Sequence, residues 1–139
     1  MGETTKETQV RVGDFLIALA HYLPKGRKCF NRDSEKLNRF FYNQKPDYPE
    51  ALTSFHFKMN GHWPECRDLE QAISNLHGSG LIVTASTMPN DYHFDPECET
   101  AYQEYVSARI PIERLKDIHK IAEEFDREIG INETLHLDR

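Results

Sequence analysis

Apolar residues recur at helical spacing over most of this chain and alternate with polar ones in only two short stretches. The run Phe15-Leu-Ile-Ala-Leu-Ala-His-Tyr-Leu23 is apolar on nearly every side, as in a helix buried all round. Asp14 is placed to cap it and Pro24-Lys-Gly26 to end it, so it is expected to be the central helix. A second helix follows Asp33 or Ser34, either of which can cap it, with Leu37, Phe40 and Phe41 on one face. Gln44-Lys-Pro-Asp-Tyr-Pro49 reads as a loop, with Pro49 suited to the first position of another helical turn.

Phe55-His-Phe-Lys-Met59 alternates, and over five residues that fits either a short strand or the tail of the preceding turn. Asn60-Gly61 turns the chain. Pro64 predicts the start of a third helix, with Glu65 and Asp68 in its first turn, Leu69, Ile73 and Leu76 as its stripe, and His77-Gly78 as its stop. Leu81-Ile-Val-Thr-Ala-Ser86 is rich in β-branched residues and Tyr92-His-Phe94 alternates, with Pro89-Asn90-Asp91 between them as turn chemistry. A hairpin over about 81–94, with its tip at Thr87–Asp91, is thus the only sheet expected.

Two helices close the chain. One starts at Asp95-Pro96, covers about 96–107 and turns Ala101, Tyr102, Tyr105 and Val106 inward. The other is opened by Pro111, covers about 111–129 and is ended by Gly130. Its apolar positions Leu115, Ile118, Ala122, Phe125 and Ile129 alternate spacings of three and four, with Ile121 widening the stripe. Residues 1–12 and 131–139 read as tails around one domain, 13–130. The expected fold is mainly α, formally α+β. Helix, helix, helix and hairpin is the order of a winged-helix domain, here with additional C-terminal helices. Pro64–His77 would then hold the recognition position of a helix-turn-helix.

Over about residues 55–95 the chain also resembles small bacterial Panacea-type domains, a group that includes antitoxins of toxin–antitoxin pairs. The resemblance lies in Phe55-His-Phe, Gly61-His-Trp-Pro64, Leu69, Ile73, Leu76, Gly80-Leu-Ile82, Pro89-Asn90 and Tyr92-His-Phe94. Here His62-Trp63 stands between the glycine and the proline. These motifs are structural, and what they imply is a winged-helix-like module that works by binding another macromolecule.

A length of 139 residues suits one core. No apolar run approaches the roughly 20 residues that span a bilayer, and Met1–Val12 lacks a signal-peptide pattern. Cys29, Cys66 and Cys98 are three and widely spaced, which speaks for a reducing compartment, by default the cytoplasm. A net charge of −6 weighs against coating nucleic acid or a membrane. The charge is uneven, however. Residues 25–45 carry seven basic and two acidic side chains, residues 46–139 eight basic and eighteen acidic. The basic segment is either a binding face or the internal partner of the acidic C-terminal region.

These patterns leave several candidate chemistries. DNA binding would draw phosphate contacts from Arg27, Lys28, Arg32, Lys36 and Arg39, but the third helix sets Glu65, Asp68 and Glu70 beside Arg67, Gln71 and Asn75. Protein association would use the stripe Leu115, Ile118, Ala122, Phe125 and Ile129 to pair two copies; the same stripe fits the domain's own core equally. Trp63 would be a partner anchor or a staple packed on the helix it precedes. His56, His62 and Cys66, joined by His93 or Cys98, lack the paired spacing of a metal site. No nucleophile, phosphate-loop or dinucleotide motif occurs. The expectation is a non-enzymatic, regulatory or antitoxin-like protein without metal or cofactor. It would act by protein–protein interaction, on a toxin or on a second copy as a homodimer. The alternative is a DNA-binding winged-helix regulator using residues 25–45.

Overall fold

The computed structural model of the chain describes residues 9–85 and 88–131. Among the described residues five helices pack around one aromatic core, beside a four-stranded and a two-stranded antiparallel sheet. The mainly helical α+β expectation holds. The first helix, α1 (Val12–Tyr22), is central as expected: it packs on the third, fourth and fifth helices. Its cap position is Arg11, not Asp14, which lies in the first turn and pairs with Arg109. The core reaches back to Val10, so the expected N-terminal tail is shorter than 1–12. Residues 1–8 and 132–139 of the expected tails lie outside the described residues.

Strand β1 (Cys29–Asn31) follows, and was not foreseen. Helix α2 (Ser34–Gln44) starts on the expected cap: the Asp33 carboxylate accepts from the backbone N–H groups of Glu35 and Lys36. After α2 the chain makes turns, including helix-like bonds from Tyr48 N to Gln44 O and from Leu52 N to Tyr48 O, but no helix grows from Pro49.

Strands β2 (Phe57–Asn60) and β3 (Trp63–Cys66) then form a hairpin. Its two-residue connection opens on Gly61, whose φ of 73° is the left-handed conformation such a turn needs. Pro64 therefore lies in a strand and not at a helix start. A two-stranded hairpin has only edge strands, where a missing N–H is tolerated. Helix α3 (Arg67–Gly78) begins after Cys66, whose Sγ accepts from Leu69 N at 3.4 Å. Residues 45–66 thus separate α2 from α3, whereas a helix-turn-helix joins its helices by three or four residues. The expected recognition position is not built that way.

Strands β4 (Ile82–Ala85) and β5 (Met88–Phe94) form the expected hairpin with a different turn. Pro89, Asn90 and Asp91 belong to β5, and Ala85 faces Met88. Ser86 and Thr87 lie outside the described residues. The ladder shifts register at Thr84/Ala85, a bulge that leaves Pro89 without a partner on β4 and so excuses its lack of a donor. The hairpin is also not the only sheet. β1 pairs with β5 (Phe30 opposite Tyr92), and the terminal β6 (Gly130–Ile131) pairs with β1, in the order β4-β5-β1-β6.

Helix α4 runs from Glu97 through a π-helical turn, Tyr102–Val106, to Arg109. The turn keeps Tyr102 and Val106 buried and carries Tyr105 to the surface, 60% exposed and against expectation. Helix α5 (Ile112–Glu128) sends Leu115, Ile118, Ile121, Ala122 and Phe125 into the core, with Ile129 just beyond its end. Gly130 continues into β6 with its Cα against Asp126, where a Cβ would meet the carbonyl oxygen at 2.8 Å. Phe15, Phe30, Phe40, Phe41, Phe55 and Phe125 interlock at centroid distances of 5.0–6.1 Å, mostly edge to face. Among the described residues no helix is long and apolar enough to cross a membrane.

Candidate macromolecule-binding face

The sequence-derived partner stripe is spent on the fold. Leu115, Ile118, Ala122, Phe125 and Ile129 are all buried in the chain's own core, so the expectation that they pair two copies is corrected. An apolar side chain already buried in the core has no surface left to offer. Trp63 is half-buried on β3, and its indole Nε1 is enclosed without a hydrogen-bond partner among the described residues.

The five basic candidates are dispersed among different neighbours. Arg27 Nε donates to the Asp126 carboxylate on α5. Lys28 caps the C-terminus of α1, donating to Leu23 O at 2.7 Å and to Ala20 O. The Arg32 guanidinium lies 4.8 Å from the centre of the Tyr92 ring on β5. Arg39 pairs with Glu35 at 2.7 Å and donates to His62 O at 3.1 Å, tying α2 to the β2–β3 turn. Lys36 is exposed on the same helix, with no side-chain partner among the described residues.

Two depressions flank α2. One, about 240 Å³, lies between α2, α3 and β5, with Arg32, Ser34, Asn38, Glu70, His77 and Tyr92 on its walls. Three of its polar groups bond to one another: Glu70 accepts from Ser34 Oγ and from Asn38 Nδ2 (3.0 Å), placing its carboxylate at the N-terminus of α2. Asn38 is 1% exposed, and its Oδ1 accepts from Cys66 N at 2.6 Å.

The other depression is open and apolar. It measures about 530 Å³ between the end of α2, the turn after it and β2, lined by Tyr42, Asn43, Lys45, Pro46, Pro49 and Phe57. Tyr42 is 45% exposed and stands edge-on to Phe57, centroids 5.4 Å apart and planes at 78°. Lys45 Nζ donates to Phe55 O at 2.6 Å and lies 5.9 Å from the Phe57 ring centre. Met59, two residues after Phe57 and on the same side of β2, is 66% exposed. Sequence reasoning missed this face, although Tyr42 lies off the Leu37–Phe40–Phe41 stripe, an aromatic on the outward side of its helix.

The thiols are sheltered. Burial pushes Cys66 upward, and burial with the nearby Asp95 pushes Cys98 up to about 11. His56 bonds to Asp68 at 3.0 Å and Cys66 to Leu69 N, and among the described residues no group of three His, Cys, Asp or Glu side chains is placed to hold a metal ion. His21 stacks on Tyr102 at 3.8 Å and bonds to Glu99 at 2.9 Å, clamping α1 onto α4.

No family model, no curated protein and no solved structure matches this chain.

Proposed function

We propose that this chain is a small non-catalytic, regulatory or antitoxin-like module that binds another protein through the α2–β2 face. The observation that carries the proposal is the exposure of Tyr42, edge-on to Phe57 in the apolar cleft, together with that of Met59 on the same side of β2. Tyrosine and methionine are side chains that interfaces favour, and an apolar cleft flanked by them is of the kind that desolvates a partner's anchor residue. A winged-helix-like description suits the order of three helices before the β4–β5 hairpin, with β1 extending that sheet. Buried thiols with raised pKa values are poor nucleophiles, in keeping with a binding role. The DNA-binding alternative loses support, since Arg27, Lys28, Arg32 and Arg39 each engage a different part of the fold.

A photoreactive phenylalanine analogue placed at Tyr42, with the same analogue at Ile112 as control, tests the proposal in the native cell. Ile112 is 64% exposed on α5. One protein cross-linked at Tyr42 and not at Ile112 is expected. Equal labelling from both positions, or none from Tyr42, refutes the assigned face.

A further inference from the structure

The two edges of the β2–β3 hairpin are not equivalent. Opposite residues of an antiparallel pair alternate between exchanging backbone hydrogen bonds and exchanging none. Pro64 has no N–H to give Met59, which it faces, and the N–H of Cys66, which faces Phe57, donates to Asn38 instead. Both pairs therefore belong to the non-bonded set, and Lys58 and Asn60 carry the bonds to β3. On β3 the outward edge is closed: Pro64 lacks a donor, Cys66 is bound to Asn38, and α2 packs along the strand. On β2 the outward N–H and C=O groups belong to Phe57 and Met59, and no hydrogen bond reaches them among the described residues. The side chains of Phe57 and Met59 share one face of that strand, the face on which Tyr42 meets Phe57.

Such an edge selects its occupant by main chain. It offers donors and acceptors in alternation at the strand repeat, and the groups that answer them in kind are those of an extended polypeptide. A helix keeps its backbone groups for itself, and a nucleic-acid backbone offers phosphate acceptors without donors. A second copy is opposed by Lys58. The antiparallel register that uses Phe57 and Met59 of both copies sets the two Lys58 side chains directly opposite each other, at the closer, non-bonded spacing.

We infer that β2 takes up an extended segment of a different protein as the third strand of the β2–β3 sheet. The added strand is antiparallel, the stronger pairing and that of the hairpin itself. Guest residues that bond to Phe57 and Met59 turn their side chains to the same face as those two, so they are apolar and cover Phe57 beside Tyr42. The guest residue between them lies on the Lys58 face and is free to be polar. The inference rests on the α2–β2 face being a protein-binding site, and the test separates the two. The probe is a short capped peptide alternating Val and Thr, in three forms: unmodified, N-methylated at every Val, and N-methylated at every Thr. Binding is read by fluorescence anisotropy, beside a helical peptide of Leu, Glu and Lys.

The Thr-methylated peptide is expected to bind as the unmodified one does. The Val-methylated peptide should bind at least about tenfold more weakly, having lost its hydrogen bonds to β2. On binding, the amides of Phe57 and Met59 should exchange with solvent more slowly. Met59→Pro removes a donor that the fold leaves unused, and should weaken binding beyond Met59→Ala, which keeps it. Tyr42→Ala should weaken every form of the peptide. Equal binding of the two methylated peptides, still sensitive to Tyr42→Ala, overturns strand addition and leaves the protein-binding face standing. Tighter binding of the helical peptide, or no binding of any extended form, does the same. The reverse order of the methylated peptides overturns the antiparallel pairing. A dimer of the chain that Met59→Pro dissociates makes the occupant a second copy and overturns the inference. Peptide binding indifferent to Tyr42→Ala overturns the face as well.

Discussion

Asn38 accepts a hydrogen bond from the backbone N–H of Cys66 at 2.6 Å, and this bond fastens the inserted β2–β3 hairpin to α2. The same amide donates to Ser34 O at 2.7 Å and to Glu70 at 3.0 Å, so one buried side chain joins α2, β3 and α3. β3 packs along α2 and carries β2 with it, so the proposed face depends on this anchorage. Truncating Asn38 leaves the Cys66 N–H buried without a partner, which costs about 1–3 kcal/mol. Asn38→Ala is therefore expected to lower stability by that amount in chemical denaturation. An unchanged midpoint would show that the hairpin is held by other contacts.

Phe125 separates a core role from a dimer role. It is 1% exposed and touches the rings of Phe30, Phe40 and Phe41. Phe125→Ala is expected to cost about 3–5 kcal/mol through lost burial and the cavity left behind. The mass in solution should be unchanged for any fraction that stays folded. Dissociation of a dimer without loss of unfolding free energy would contradict the core assignment.

The three cysteines are all buried. With Cys98 raised to about 11 and Cys66 also raised, little thiolate forms at neutral pH. In the native protein a thiol-specific disulfide reagent is expected to react slowly with all three, and rapidly after unfolding in denaturant. One fast-reacting thiol in the folded state would contradict the burial described.

Glu99 bears on the pH dependence of stability. Hydrogen bonds from Gln103 at 2.7 Å and from His21 hold its carboxyl below the usual carboxylate range. A depressed folded-state pKa means stability that is full above the unfolded value and lost as pH falls through the folded one. The side chain is half exposed, so the contribution is small. Glu99→Gln is expected to lower the neutral plateau slightly and to converge with the unaltered chain in acid, so that the acid limb is flatter. A steeper acid limb would contradict the assignment.

What was legible in the sequence is what local spacing determines. The all-round apolar run of α1, the Asp33 cap of α2 and the stripe of α5 follow from helical periodicity and capping. Strand β1 does not: Cys29–Asn31 is too short to show alternation and owes its conformation to His93, Tyr92 and Asp91, far along the chain. Pro64 misled because a proline that opens a helix and one in an edge strand look alike locally. Tyr105 misled because a π turn shifts the phase of every later side chain. Candidate site residues failed for a related reason. Apolar periodicity marks what is buried, so Leu115–Ile129 was visible and spent on the core. Tyr42 and Met59 are functional candidates because they fall outside the core's reach, which only the assembled fold reveals.

The most direct measurement is quantitative affinity capture from the native cell, comparing the unaltered chain with Tyr42→Ala, Met59→Glu and Ile112→Glu. Thermal midpoints of all four are recorded in parallel, so that loss of fold is separated from loss of binding. The expected result is one co-purifying protein, retained by Ile112→Glu and lost by the two face variants at unchanged midpoints. Retention of the same protein by Tyr42→Ala and Met59→Glu would contradict the central claim.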